Sequence, residues 1–257
     1  MTAVITGIGW VTAAGMGRGK DRTRLEMPAA SLPEITRQAV FNAPYPRFGR
    51  MDRYCRLGLA AIAFALRDAA LEKWSRKRNV GIIASTVYGC LNTDVDYCDT
   101  IMSQEGRLAS PHLFAYTLPN CFLGEAAIRF GLTGSGFIVS APSASELWCL
   151  RMALTNLSGG EFETVLCGIC DLARPPFFPE ADPAAPGALF LVIEALGRTD
   201  RTVYGALRLN RDGTPEFNGR PVKNLATLAR EGLNAAAARR LPAPDRPPDP
   251  NLEWHFA

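Results

Sequence analysis

Residues Gly136–Gly160 read GFIVSAPSASELWCLRMALTNLSGG, and TVLCGIC follows at Thr164–Cys170. Gly136–Ala141 is a short run carrying the β-branched Ile138 and Val139, the pattern of a strand. Ser143-Ala-Ser-Glu146 has the spacing of a capping box, in which a serine hydroxyl and a glutamate carboxylate satisfy open amides at a helix start. The helix it predicts runs through Trp148, Met152 and Leu157 and stops at Gly159-Gly160, where glycine takes the left-handed conformation common at helix ends. Thr164–Cys170 is the next strand. A strand, a capped helix and a second strand in close succession indicate an α/β layered domain.

Working outward, the punctuation gives further alternating elements. Ala3–Ile8 is a β-branched run ending in Gly7-Ile-Gly9, and Arg53–Leu71 is a long alanine-rich helix with Leu57, Ala61, Phe64 and Ala65 at helical spacing. Ile62 and Leu66 carry its apolar character round much of the circumference. Asn79–Ser85 reads as a strand, and an irregular region with Pro111 and Pro119 leads to a short helix over Phe122–Phe130, stopped by Gly131. After a proline-rich loop, Ala173–Pro186, come two strands, Ala188–Glu194 and Thr202–Leu209, then a helix over Leu225–Arg240. Leu241–Pro250 holds five prolines in ten residues and reads as an extended tail. Beyond it Leu252, Trp254 and Phe256 alternate as a strand edge does, open to folding back on the body or docking on a partner.

The chain has 257 residues, 47% hydrophobic and 21% charged, which suits a globular protein and excludes collagen-like, coiled-coil and wholly disordered chains. Its net charge of +3, from 28 basic and 25 acidic residues, is too balanced to make nucleic acid the main partner. No apolar run approaches the roughly 20 residues that span a bilayer, and MTAVITGIGW lacks the basic flank of a signal peptide, so a cytoplasmic location is expected. The seven cysteines are an odd number set among apolar neighbours, as in reduced, buried thiols. Cys167-Gly-Ile-Cys170 has redox or zinc spacing, but no second pair completes a metal site. Neither a metal nor a cofactor is expected. Gly7-Ile-Gly9 lacks the third glycine of a dinucleotide fingerprint, since position 12 is threonine, and no acid-tipped second strand follows.

The order of the segments resembles the β-ketoacyl synthase family. The stretches that carry the likeness are VITGIGWVTAAG (4–15), GRMDRYCRLGLAAIAFALRDAAL (49–71), NVGIIAST (79–86), LPNCFLGEAAIRFGLTGSGFIVSAPSAS (118–145), VLCGICD (165–171) and GALFLVIEALGRTDRTVYGALRL (187–209). The resemblance implies a thiolase-like layered α/β/α fold, of which a full ketosynthase carries two related repeats. This chain has room for one, of the N-terminal type, over residues 1–210. Residues 211–240 are then a linker and C-terminal helix packed on it, and 241–257 a proline-rich tail.

In the family a nucleophilic cysteine stands at the strand-to-helix turn matching Ser140–Ser145. There the helix N-terminus lowers a thiol pKa and backbone amides hold an oxyanion. The matching position here is Pro142, which has neither a nucleophile nor an N–H. Its neighbours Ser143 and Ser145 would need an activating base; Ser143 reads as a helix cap and Cys149 as core. The family's two histidines and lysine belong to a second half with no counterpart, and His112, in a Ser-Pro-His loop, and His255 match no motif. No catalytic residue is therefore expected.

The family includes inactive partners, chain-length factors, that close the acyl tunnel of a catalytic ketosynthase. The resemblance makes this chain a shortened factor, paired as a heterodimer with a full-length β-ketoacyl synthase or with itself as a homodimer, and serving chains held on an acyl carrier protein. Interface and tunnel candidates are Tyr88, Phe114, Tyr116, Phe122, Phe137, Ile138 and Val139, with Met102 beside them; filling the chain's own core is the competing role for each. The rival function is an independent acyltransferase or hydrolase using Ser143 or Cys149. Arg47, Arg50, Arg53 and Arg56 recur every third residue, as a carrier-protein dock or as a solvated, internally paired face.

Overall fold

A computed structural model describes residues 2–21, 24–102, 106–140, 145–176, 185–197 and 201–240. The described strands form one mixed sheet of β1 (Thr2–Thr12), β2 (Gly15–Arg18), β3 (Val80–Thr86), β4 (Gly136–Ser140), β5 (Thr164–Asp171), β6 (Gly187–Ala195), β7 (Gly205–Leu209), β8 (Pro215–Phe217) and β9 (Arg220–Pro221). The order is β4-β3-β5-β6-β1-β7-β8-β9, with β2 paired to the far end of β1. β3 is parallel to both β4 and β5, whereas β6 runs antiparallel between β5 and β1. The described α-helices are α1 (Arg37–Val40), α2 (Arg53–Asp68), α3 (Leu91–Met102), α4 (Pro111–Phe114), α5 (Cys121–Phe130), α6 (Ser145–Gly159) and α7 (Leu225–Arg240).

Strand periodicity divides the core between two faces. Along β6, Ala188, Phe190 and Val192 join the cluster under α2 and α5, while Leu189, Leu191 and Ile193 join the one under α6 and α7. Helices thus cover both sides of the sheet, the layered α/β/α arrangement of the thiolase-like fold. α2 starts where Asp52 accepts the amide of Cys55 at 2.8 Å, a side-chain N-cap. It is buried on nearly every side, between the sheet below and α5 with the 41–51 segment above, as its wide apolar surface requires.

β1 runs through both of its glycines to Thr12 rather than ending at Ile8. A Cβ on Gly9 would stand 2.1 Å from the amide nitrogen of Ala65 and 2.5 Å from the carbonyl of Ala61; one on Gly7 would stand 2.5 Å from the carbonyl of Ala65. The two glycines let the α2 backbone lie directly on the strand. Their spacing serves helix–sheet packing, and no loop suited to a phosphate follows them.

Several expectations need correction. The irregular region after β3 contains α3, whose sequence LNTDVDYCDTIM is polar and buries only Thr93, so no apolar stripe announces it. The strand expected from Thr202 starts at Gly205. The stretch expected to be a linker carries β8 and β9, which extend the sheet through turns at Asp212-Gly213 and Asn218-Gly219. Asn218 and Gly219 both have positive φ, 49° and 80°, the conformation such tight turns need. His112 sits in α4, capped by Ser110, rather than in a loop.

Candidate functional site

The family resemblance directs attention to the carboxyl ends of β3, β4 and β5, where Thr86, Ser140 and Asp171 end three parallel neighbours. Such strand ends are the usual place for ligands in α/β sheets. The turn with Pro142 and Ser143 lies outside the described residues, as do the tail residues Leu252, Trp254, His255 and Phe256. Ser145 is the first residue of α6, and its side chain is likewise outside the description.

Asp171 is the acid at this end of the sheet. Its carboxylate accepts from the hydroxyl of Thr86 at 2.7 Å, the amide of Val87 at 2.9 Å and the amide of Tyr88 at 2.8 Å. Thr86 Oγ1 in turn accepts from the amide of Gly89 at 2.7 Å. Burial pushes the Asp171 carboxyl above the usual carboxylate range, and the ring of donors holds it back. The acid is committed to fixing the turn that leads from β3 to α3 and carries Tyr88. Sequence reasoning passed over it, although a lone acid closing the apolar run VLCGIC was a visible signal.

The thiol alternative fares poorly. Cys149 is buried in α6, its sulfur 3.4 Å from that of Cys167 and 3.5 Å from the carbonyl of Gly168. Elsewhere, burial pushes up the thiols of Cys55 and Cys170 and raises Cys90 to about 12 beside Asp94, so these three stay protonated at neutral pH. His112 lies against the ring of Tyr116, 5.8 Å between centroids. Among the described residues no group of three His, Cys, Asp or Glu is placed to hold a metal ion.

The interface candidates separate into two kinds. Phe122 is 0% exposed: it packs edge-on to Tyr54 at 5.4 Å and Phe190 at 6.0 Å, over Gly58, where a Cβ would stand 2.5 Å from its ring. It fills this chain's own core. Phe114, by contrast, is 61% exposed beside Tyr97, and Met102 is 82% exposed at the end of α3. Tyr88 and Tyr116 are half-buried. Phe137, Ile138 and Val139 form the middle of β4, also half-buried, with Phe137 and Val139 toward the α6 cluster and Ile138 toward the α2 cluster.

Among the described residues β4 is an edge strand that pairs only with β3. The amide of Ile82 bonds the carbonyl of Ser135. Parallel alternation therefore turns the amides of Phe137 and Val139 inward and that of Ile138 out from the sheet. The opposite edge is β9, an exposed Arg220-Pro221 pair, which blunts pairing as charges and prolines do. β4 carries no charge and no proline.

The four arginines do not form one face. Arg47 and Arg50 lie in a 3-10 turn over Pro46–Arg50, and Arg53 and Arg56 lie beyond the Asp52 cap in α2. Arg47 holds Glu125 at 2.6 Å, and Arg56 bonds the carbonyl of Gly49 at 3.0 Å. Only Arg50 and Arg53 of the series face solvent without such a described bond.

The sequence of residues 5–177 matches the family model described as "Beta-ketoacyl synthase, N-terminal domain". A curated relative named "Putative polyketide beta-ketoacyl synthase 1", from Streptomyces halstedii, is 28% identical over 199 residues, 67% of this chain and 47% of that protein. The chain thus spans about half the length of the curated relatives it matches. Among solved structures, the ishigamide ketosynthase/chain length factor aligns over 82% of this chain and 68% of the other, with a TM-score of 0.64 and 20% identity. A chain from the complex of the ketosynthase ApeO with its chain length factor ApeC, from Xenorhabdus doucetiae, aligns over 76% of this chain and 79% of that one, with a TM-score of 0.55 and 20% identity. No described helix is long and apolar enough to cross a membrane. Strand order, layering and the matched segment agree: the chain belongs to the β-ketoacyl synthase family through that family's N-terminal domain.

Proposed function

We propose that this chain is a catalytically inactive ketosynthase-like subunit that pairs, as a chain-length factor, with a full-length β-ketoacyl synthase extending acyl chains on a carrier protein. The observation that carries the pairing is the uncharged edge of β4, open among the described residues and set against an opposite edge blunted by Arg220 and Pro221. An apolar strand edge left uncovered templates aggregation; a partner strand across a two-fold or pseudo-two-fold axis removes that hazard. The inactivity rests on Pro142, which stands at the position matching the family's nucleophile. Self-pairing through the same edge and an acyltransferase using Ser143 are the outcomes the experiments below separate from this reading.

The isolated chain, given acyl and malonyl carrier-protein thioesters, is expected to show neither condensation nor malonyl decarboxylation. Pro142→Cys is expected to remain inactive in condensation, because a thiol without a base and an electrophilic partner has nothing to complete the reaction. Turnover by the purified wild-type chain, read as carbon dioxide release or a new thioester, overturns the inactivity.

The exposed Phe114 is the residue best placed to act on a partner. Phe114→Ala in the reconstituted pair is expected to lengthen the product, since each further buried carbon contributes about 0.8 kcal/mol, roughly a fourfold change in a product ratio. Phe122→Ala is expected to act differently, costing about 3–5 kcal/mol of stability as a core truncation without shifting product length at temperatures where the pair stays folded. Chain-length analysis of the products, alongside thermal unfolding of each variant, distinguishes the two rings. Unchanged length with Phe114→Ala in an intact pair removes the gating role from that residue.

A further inference from the structure

Cys167 and Cys170 have the sequence spacing of a redox pair, yet β5 sends them to opposite faces of the sheet. Cys167 enters the cluster under α6 and Cys170 the cluster under α2, because side chains alternate along a strand. The thiol that Cys167 does meet is Cys149, in the second turn of α6, with the two sulfurs 3.4 Å apart and both residues buried.

The geometry points to a redox-sensitive lock, in which an oxidant of the peroxide class converts Cys149 and Cys167 to a disulfide tying α6 to β5. A disulfide is about 2.05 Å long, so the sulfurs approach by roughly 1.4 Å, and the link closes a short chain segment between a helix and the adjacent strand. The chemistry balances with one peroxide. The first sulfur attacks a peroxide oxygen, the O–O bond breaks, and a sulfenic acid and one water form. The second sulfur then attacks the sulfenic sulfur, the S–S bond forms, the S–O bond breaks and a second water leaves. Two electrons pass from the thiols to the peroxide, and both thiol protons end in water. Both sulfurs are buried and hard for the oxidant to reach, so the reaction is slower here than at the exposed Cys98 of α3. Once formed, the bond is screened from bulky reductants. It fixes the helix that follows β4 and the Pro142 turn, and it does not depend on the proposed pairing.

The test uses the full wild-type chain, treated with hydrogen peroxide, quenched, denatured and alkylated. The expected result is a growing fraction of molecules that carry two fewer alkyl groups than the untreated chain, at Cys149 and Cys167, because oxidation has removed two protons and two electrons from that pair. A non-reduced proteolytic peptide should join Cys149 to Cys167, and the unfolding temperature should rise and return with dithiothreitol. Cys170→Ser is expected to keep the link and Cys149→Ser to abolish it. Cys98, exposed, reports that the oxidant was active. Alkylation of both Cys149 and Cys167 after Cys98 is fully oxidised overturns the proposal, as does a link that requires Cys170.

Discussion

Gly9→Val is expected to leave the chain without a cooperative unfolding transition. A side chain there has no flexible neighbour to push aside: the nearest atoms are the amide nitrogen of Ala65 and the carbonyl of Ala61, both backbone of α2. Inserting methyl groups into a packed core ordinarily costs about 1–3 kcal/mol, and this case is worse because a whole buried helix must lift from the sheet. Total stabilities of about 5–15 kcal/mol leave little to spare. Gly124→Ala is the matched control. That glycine is exposed on α5 with nothing within 4 Å of an added Cβ, and replacing it should stabilise the protein by roughly 0.5–1 kcal/mol. Circular dichroism on heating, with the soluble fraction of each variant, checks both. A Gly9→Val chain that unfolds near the wild-type temperature contradicts the packing described for β1 and α2.

The second large effect is expected from Ile138→Pro. Its amide faces away from β3, so proline removes a donor that the fold itself does not use while denying it to an added strand. The β3–β4 ladder, made through Phe137 and Val139, is retained. Pairing with a ketosynthase through this edge should weaken at least tenfold, about 1.4 kcal/mol, with a much smaller change in the unfolding temperature of the isolated chain. Isothermal titration with the purified ketosynthase measures the first and thermal unfolding the second. Equal affinity for wild type and variant places the contact elsewhere on the surface.

The helices that bury a wide apolar face were legible in the sequence. α2 and α7 begin at the expected residues, and α5 ends at Gly131 with its left-handed φ of 65°. What escaped was whatever lacked a hydrophobic period or depended on a distant partner. α3 is polar and stabilised by its place in the fold. Asp212-Gly213 turns the chain from β7 into β8 and Asn218-Gly219 from β8 into β9, but strands of three and two residues are too short to show a period. Gly7 and Gly9 marked a strand end only so long as the alanines of α2 that press on them were unknown.

The candidate site was legible in part. The proline at position 142 is read directly from the sequence, and the proposed inactivity starts from it without coordinates. Phe122 and Phe114 are both aromatic residues in one segment, and only packing tells that the first is enclosed and the second exposed. Likewise, the Cys167–Cys170 spacing suggested a thiol pair, and the sheet replaced it with Cys149 and Cys167 by turning alternate residues to alternate faces. Asp171 went unnoticed because its role is to receive amides from a turn that lies some eighty residues earlier in the chain.

Pairing with a ketosynthase is the claim on which the functional account stands. Its most direct test is the mass, by size-exclusion chromatography with light scattering, of the chain co-expressed with a full-length β-ketoacyl synthase. A one-to-one heterodimer that dissociates when Ile138 is replaced by proline is the predicted result. A chain that elutes alone as a monomer, with the ketosynthase as its own homodimer, contradicts it.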